Sequence, residues 1–397
     1  MGTKGFWSFI NNIVKTISLN KLRNKNLLID INLYLYKHII GIRKNGKDIL
    51  NNKGENISHL ITVYNIIKNL LLVNITPVFI FDGKAPEIKK QTIEKRKKIT
   101  NNSQILTDFI LEYKEDLEEI VDENIDDIYI KYFKKSFTLN KNIIEDCKHF
   151  LTLTGIPFIE SKEEADLYCA QLSKKQNLNI AGVLSDDSDI LIMGCEKLYK
   201  DIDFHNMTIT EISITDILKY LQDKANKISK INKLPINNFT FKNLVDFTII
   251  LGNDYCSGIR VNNKKAFVDV NKTVLVQSRE DIFTQFIKNN CDVNKLIDEL
   301  YNINNMCDYI MYYIPSNFKQ NYDECKKVYY REQYELNDLN LDDINLDIKK
   351  VDINQLKRYL TDKNIFNNDN FINMISKIKK NKKKEIKIED EDGWITV

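Results

Sequence analysis

Two clusters of acids stand about twenty residues apart, Glu163-Glu164-Ala165-Asp166 and Ser185-Asp186-Asp187-Ser188-Asp189. Two full charges about 5 Å apart repel by roughly 3 kcal/mol at an effective dielectric near 20. Carboxylates gathered in that way need protons or hard cations, and Mg²⁺ takes carboxylate and water oxygens. An EF-hand loop is excluded at Asp187-Ser188-Asp189, because Ile192 stands at its glycine position and Leu198 at its final Glu. What remains is an acid-lined cation site whose other ligands must come from elsewhere in the chain.

The elements that would carry such a site can be read from the pattern. Ile180-Ala181-Gly182-Val183-Leu184 is a short apolar run bounded by polar residues, which predicts a buried strand feeding the second cluster. Acids just past a strand end sit where open α/β sheets bind ligands. Leu27-Leu28-Ile29-Asp30-Ile31 and Pro77-Val78-Phe79-Ile80-Phe81-Asp82-Gly83 are two more such strands, each tipped by Asp. Between them, 57–73 carries a helical stripe at Leu60, Ile61, Tyr64, Ile67 and Leu71. Alternating strand and helix patterns imply βαβ units and a parallel sheet, so Asp30, Asp82 and Asp187 are expected at one sheet edge.

Around these, 32–38 reads as helix, with Tyr36 and, beyond it, Arg43 placed to touch something polar. Residues 89–98 read as a basic helix with Lys89 and Arg96 two turns apart on one face. From 103 to 127 a narrow stripe of Tyr113, Leu117, Ile120 and Val121 suggests an amphipathic insertion, with Lys134, Lys135 and Lys141 restoring basic character after it. Residues 143–154 form a helix ended by Gly155, then a strand at 156–160. Ser161-Lys162-Glu163-Glu164 fits a capping box, which would give Glu164 a structural job. Asp187 and Asp189, two apart in extended chain, would point the same way. Phe241–Leu251 is a helix followed by Gly252-Asn253-Asp254-Tyr255, and Asn262-Asn263-Lys264-Lys265 could offer a phosphate its amides and lysines. The four histidines lack partners at metal-ligand spacing.

Length and composition set outer bounds. A chain of 397 residues at 43% hydrophobic and 29% charged has room for two domains or one large one with insertions. No apolar run approaches the ~18–20 residues of a membrane helix. No basic-then-apolar leader stands at the N-terminus, and Phe6 breaks the myristoylation pattern. Seven cysteines without CxxC spacing point to a reducing compartment and away from structural zinc. The expectation is an intracellular protein of the nucleus, or of a cytoplasmic replication site if the chain is viral. Net charge of +2 neither demands nor excludes a nucleic-acid partner, so only placed basic residues carry weight.

In order and spacing these residues resemble the flap endonuclease branch of the structure-specific 5′ nucleases. The motifs are Met1-Gly2-Thr3-Lys4-Gly5, Leu28-Ile29-Asp30-Ile31, Gly54-Glu55-Asn56-Ile57-Ser58-His59-Leu60 and Val78-Phe79-Ile80-Phe81-Asp82-Gly83-Lys84-Ala85-Pro86. They continue with Gly155-Ile156-Pro157-Phe158, both acidic clusters and Leu251-Gly252-Asn253-Asp254-Tyr255. The resemblance implies a PIN-like α/β fold: a mostly parallel central sheet flanked by helices, a helical cap insertion, and a helical C-terminal region with a helix-two-turn-helix-like element. It divides the chain into an N-terminal nuclease region (1–101), a cap (102–140), an internal nuclease region (141–275), a C-terminal helical region (276–376) and a charged, disordered tail (377–397).

By the same resemblance, Asp30, Asp82, Glu164 and Asp166 serve one Mg²⁺ and Asp187, Asp189 and Asp254 a second, with Mn²⁺ as an alternative ion. Lys89 and Arg96 hold the scissile phosphate, and Gly2, Tyr36, Arg43, Lys134, Lys135, Lys264 and Lys265 are the candidate DNA contacts. The implied activity is two-metal hydrolysis of 5′-flapped or branched DNA, RNA-primed flaps included, by a monomer, in replication, repair or recombination. A 5′→3′ exonuclease and a catalytically silent nucleic-acid-binding scaffold are the alternatives. The chain departs from the family pattern in four places: Asp166 stands where many members carry Glu, and Asn65 replaces a usual arginine. The 260–266 loop is one residue shorter and lacks both glycines, and the tail has no sliding-clamp box.

Overall fold

Apolar runs become buried strands, and those over Asn26–Asp30 and Thr76–Phe81 end where Asp30 and Asp82 interrupt the run. The computed structural model describes residues 2–120, 123–235, 238–261, 272–307, 310–330, 344–365 and 369–376. In chain order its first elements are α1 (Phe6–Phe9), β1 (Lys15–Ser18), β2 (Asn26–Asp30), α2 (Ile31–Ile42), α3 (Ser58–Leu72), β3 (Thr76–Phe81) and α4 (Lys90–Glu112). Then come α5 (Lys114–Ile120), α6 (Ile125–Lys135), α7 (Lys141–Thr154), β4 (Phe158–Glu160), α8 (Ala165–Ser173), β5 (Ile180–Leu184), α9 (Asp189–Ile192), β6 (Lys197–Asp203) and β7 (Thr208–Ser213). The last are α10 (Ile214–Asn232), α11 (Phe241–Leu251), β8 (Arg260–Val261), α12 (Lys272–Lys288), α13 (Val293–Met306), β9 (Tyr312–Tyr313), α14 (Phe318–Tyr329) and α15 (Ile353–Asp362). The class is α/β with mostly parallel pairing, as expected: β2 with β3, β3 with β4 and β5 with β6 run parallel.

The chain forms two compact units, each built from three stretches. The first unit takes 1–21, 83–92 and 162–343. Its strands lie in the order β1-β7-β6-β5. Val183 pairs with Leu198 in parallel, while Leu198 with Ile212 and Ile17 with Ile209 pair antiparallel. The β6–β7 hairpin and β1 are absent from the sequence reading, and the reason is local. The turn between β6 and β7 holds no Asn-Gly or Asp-Gly pair. Instead the Asp203 carboxylate accepts the N–H groups of His205 and Asn206, and Met207 takes a left-handed backbone (φ 53°).

The second unit takes 22–82, 93–161 and 344–397. β2, β3 and β4 are all parallel, with Leu28 opposite Val78 and Phe79 opposite Phe158. Leu27, Leu28, Ile29, Val78, Phe79 and Ile80 are fully buried. Because the strands are parallel, their carboxyl ends share one edge, and that edge carries Asp30 and Asp82. The insertion differs from its expected pattern. α4 and α6 bury Ser103, Thr107, Ile110 and Ile125, whereas Tyr113 and Ile120 are exposed, Ile120 by 79%. The helix breaks at Tyr113, between α4 and α5, so the anticipated stripe does not lie on one continuous helix.

His59 on α3 lies buried with Nε2 at 3.3 Å from Asp146 on α7. Burial lowers its pKa from the ordinary 6.5, and the Asp146 carboxylate only partly restores it. Below pH 6.5 the unfolded chain therefore binds a proton that the folded chain resists, so stability falls as pH drops through 6.5 and levels off once the folded group protonates. We expect the urea midpoint of the parent to fall between pH 7.5 and 5.5 more steeply than that of His59→Gln. Identical slopes for the two proteins would refute this assignment.

Candidate active site

In the first unit the two acidic clusters are set by two devices. β5 delivers Ser185 to Asp189 past its carboxyl end, where the chain turns rather than continuing extended. The Asp189 N–H donates to Asp187 Oδ1 at 2.9 Å and begins the one-turn helix α9. Asp187 and Asp189 are thus joined by a turn, not by strand alternation. Both are almost completely buried, at 5% and 2% exposure. Burial raises the pKa of each. Asp189, which also faces the charge of Asp187, is pushed to about 8.

The other device is the start of α8. The anticipated capping box does not form. Glu164 is the N-cap residue, yet its side chain makes no cap bond, and Ser161 instead donates its hydroxyl to the Phe81 carbonyl. Glu164 turns elsewhere: Tyr255 Oη donates to Oε2 at 2.6 Å, and Lys89 Nζ lies 2.5 Å from Oε1. Gly83 and Lys84 hold this segment by donating to the carbonyls of Glu163 and Lys162. Lys89 is not part of the basic helix. It ends the 3₁₀ turn Glu87–Lys89 before α4 and is buried, with its ammonium 4.6 Å from the Tyr255 ring centre. Burial alone would lower its pKa, but Asp166 and then Glu164 outweigh it and keep the pKa above the ordinary value. Asp254 is half-buried, and its carbonyl accepts the Thr92 hydroxyl from the first turn of α4.

The N-terminal segment is woven into the same cluster. Thr3 donates its N–H to Ser188 Oγ at 2.9 Å and its hydroxyl to Asp189 Oδ1 at 3.2 Å. Gly2 has φ +81°, and a Cβ there would stand 2.4 Å from Asp187 Oδ1, so no other residue fits without displacing that acid. At Gly5 (φ +67°) a Cβ would overlap the Arg279 guanidinium, which donates to the Lys4 carbonyl and Ser8 Oγ.

The donor chemistry of the first unit suits a hard divalent cation: carboxylate oxygens, two of them on deeply buried acids whose charged forms burial disfavours. Among the described residues no three Asp, Glu, His or Cys side chains are already gathered tightly enough to hold an ion. Lys89 supplies positive charge among the acids in this arrangement.

In the second unit Asp30 ends β2, buried, and caps α2 by accepting the Leu33 N–H at 3.2 Å. The capping role and a ligand role are compatible, since a carboxylate has lone pairs for both. Asp82 follows β3, exposed, and accepts from Asn32 Nδ2 at 2.7 Å. Arg96 lies on the exposed face of α4. Tyr36 is partly exposed and rests on Phe137. Arg43 takes a structural position: it pairs bidentately with Asp48, donates to the Phe133 carbonyl, and lies 4.2 Å from the Phe133 ring centre. It thereby clamps the end of α2 to α6, whose last residues include Lys134 and Lys135. Lys264, Lys265 and the basic tail lie outside the described residues.

Family models match two long parts of the chain, the XPG N-terminal domain over residues 1–103 and the XPG I-region over 155–254. Flap endonuclease 1 of Methanococcus aeolicus is 32% identical over 292 residues, covering 72% of this chain and 80% of that protein. The chain belongs to the flap endonuclease family. The Babesia bovis flap endonuclease 1 is 29% identical over 274 residues, 67% of this chain but only 37% of that longer protein. The solved flap endonuclease-1 from Methanococcus jannaschii shares the fold, with a TM-score of 0.56, 22% identity, and coverage of 93% of this chain and 96% of that one.

Against the family pattern, several side chains at the acids carried no signal in the sequence. Tyr255 stands inside a family motif but had no assigned task, and it proves to bind Glu164 and pack on Lys89. Asn32, Thr3 and Tyr329 likewise had no assigned task. Nothing local distinguishes them from core or surface residues.

Proposed function

We propose that this flap endonuclease family member hydrolyses a phosphodiester of 5′-flapped or branched DNA with two divalent ions, Mg²⁺ or Mn²⁺. The observation that carries the reading is the pair of buried acids Asp187 and Asp189 past β5, with Lys89 held against Glu164 in the same unit. By resemblance, Asp30, Asp82, Glu164 and Asp166 hold one ion and Asp187, Asp189 and Asp254 the other. Bound divalent cations supply a more acidic water and neutralise phosphate charge.

The chain's own groups do the rest. Lys89 and Arg96 bind the non-bridging oxygens of the scissile phosphate, where charge grows in the transition state. Water attacks phosphorus, the bond to the leaving oxygen breaks, and that oxygen takes up a proton. Lys89 enters already desolvated and fixed by Glu164 and Tyr255, so little reorganisation is needed when phosphate arrives. Gly2, Tyr36, Lys134 and Lys135 contact the DNA strands, and the protein works as a monomer on branched DNA.

The test is a panel of 5′-end-labelled flap, nick, gap and bubble substrates in Mg²⁺, Mn²⁺ and Ca²⁺. We expect cleavage at the base of the flap in Mg²⁺ or Mn²⁺ and none in Ca²⁺. Stepwise release of mononucleotides from every duplex end, without preference for a flap, would replace this reading with an exonuclease.

A further inference from the structure

Tyr329, the last residue of α14, lies far along the chain from every acid motif yet is 3% exposed in the first unit. Its hydroxyl accepts from Asn253 Nδ2 at 2.9 Å. A phenol has one proton to give, and with Asn253 as its donor that proton is left for an acceptor. The buried Asp189 carboxylate lies beside the phenol as that acceptor, and each group acts on the other. A second hydroxyl, that of Thr3, donates to Asp189 Oδ1 at 3.2 Å.

Both donors are themselves held. Asn253 Oδ1 accepts the N–H groups of Tyr255 and Cys256, which fixes the amide so that Nδ2 must face Tyr329. The Tyr329 ring packs edge-on to Tyr255 at 5.7 Å. The Thr3 backbone is tied to Ser188 Oγ, and Lys4 donates to the Gly252 carbonyl. Two segments remote in sequence, the N-terminus and the end of α14, therefore each present one hydroxyl to the same buried carboxylate.

We propose that Thr3 and Tyr329 are positioning residues for Asp189, fixing the rotation of its carboxylate so that its remaining lone pairs face a bound divalent cation. The inference rests on the nuclease reading of Asp189. It assigns to Thr3 and the end of α14 a shared task in metal affinity. Outer hydrogen-bond partners of metal ligands typically contribute about 10–100-fold in metal affinity or activity.

The experiment uses the full chain with Tyr329→Phe, Thr3→Val and the double variant, and Tyr322→Phe as a control. Tyr322 lies on the same helix but donates to Asp246, at 2.6 Å. Two readouts are taken: the half-saturating Mg²⁺ against kcat in flap cleavage, and the rise in Tm with added Ca²⁺, which needs no catalysis. We expect about a tenfold higher Mg²⁺ requirement in each single variant, with kcat at saturating Mg²⁺ kept within about threefold. The Ca²⁺ titration of Tm should move to higher concentration in parallel. Because both hydroxyls act on one carboxylate, the double variant should fall short of the product of the singles. Tyr322→Phe should lose stability and leave both metal titrations in place.

Parent-like metal titrations in Thr3→Val and Tyr329→Phe would overturn the proposal. If Tyr329→Phe fails to fold, Thr3→Val decides alone. Should Asp187→Ala still cleave, the nuclease reading falls first. Should it be inactive while both hydroxyl variants titrate like the parent, only the positioning role is lost.

Discussion

Asp187→Ala abolishes flap cleavage, by about 10³-fold or more, while the protein stays folded and still binds the same DNA in Ca²⁺. The magnitude follows from losing several kcal/mol of charge stabilisation in the transition state, at about 1.4 kcal/mol per decade of rate. The folding half of the prediction comes from the environment of the side chain. Asp187 is buried, and burial raises its pKa, so its ionised form is a cost to the apo protein rather than a gain. Removing a carboxyl of that kind should leave Tm without divalent ions equal or higher. The main structural loss is the acceptor for the Asp189 N–H. Asp187→Asn restores that acceptor without the charge, so it should match Ala in activity and the parent in fold. Single-turnover cleavage with a labelled flap and a thermal melt without and with Ca²⁺ decide the matter. Activity within tenfold of the parent in either variant would remove Asp187 from the chemistry, and a collapsed melt would make it a structural residue instead.

How much of this was legible in the sequence depends on how local each signal is. Asp30, Asp82 and Asp187 could be placed because each interrupts or ends an apolar run, and a parallel strand hands its last residue to the ligand-binding edge. Asp30 also caps α2, and that cap does not exclude a ligand role. Glu164 is the opposite case. Ser161 and Glu164 have capping-box spacing, but Ser161 bonds to β3's last carbonyl and Glu164 is held by Tyr255 and Lys89, neither near it in sequence. Lys89 and Arg96 looked like one helical face because seven residues match two turns; Pro86 and the 3₁₀ turn after it place Lys89 outside the helix. The β6–β7 hairpin went unseen because its turn is made by an Asp203 side chain and a left-handed Met207, a combination with no compositional mark. Thr3 and Tyr329 could not be found at all from pattern, since their meaning lies in one hydrogen bond each to a residue more than a hundred positions away.

Lys89→Ala lowers cleavage by about 10²–10³-fold, the usual cost of deleting one preorganised group that meets developing charge. Lys89 is held between Glu164 and the face of Tyr255, and Asp166 and Glu164 keep it protonated against burial. Its folded pKa lies above the unfolded one, so its contribution to stability is complete at neutral pH and is lost only as pH rises past the ordinary lysine range. At pH 7.5 the Ala variant therefore loses both a phosphate ligand and the charge that compensates Glu164 and Asp166. The second loss gives the prediction its diagnostic side. With that ammonium gone, the acids must find compensation from solution, so Ca²⁺ should raise the Tm of Lys89→Ala more than that of the parent, at lower concentration. Lys89→Arg keeps the charge but presents a rigid fork instead of a compact ammonium, so it should recover the parent's Ca²⁺ response better than its rate. A Lys89 that acted only as a structural counter-ion would behave differently: Arg would rescue stability and cleavage together. A variant that cleaves within threefold of the parent, with an unchanged Ca²⁺ response, would exclude Lys89 from both tasks.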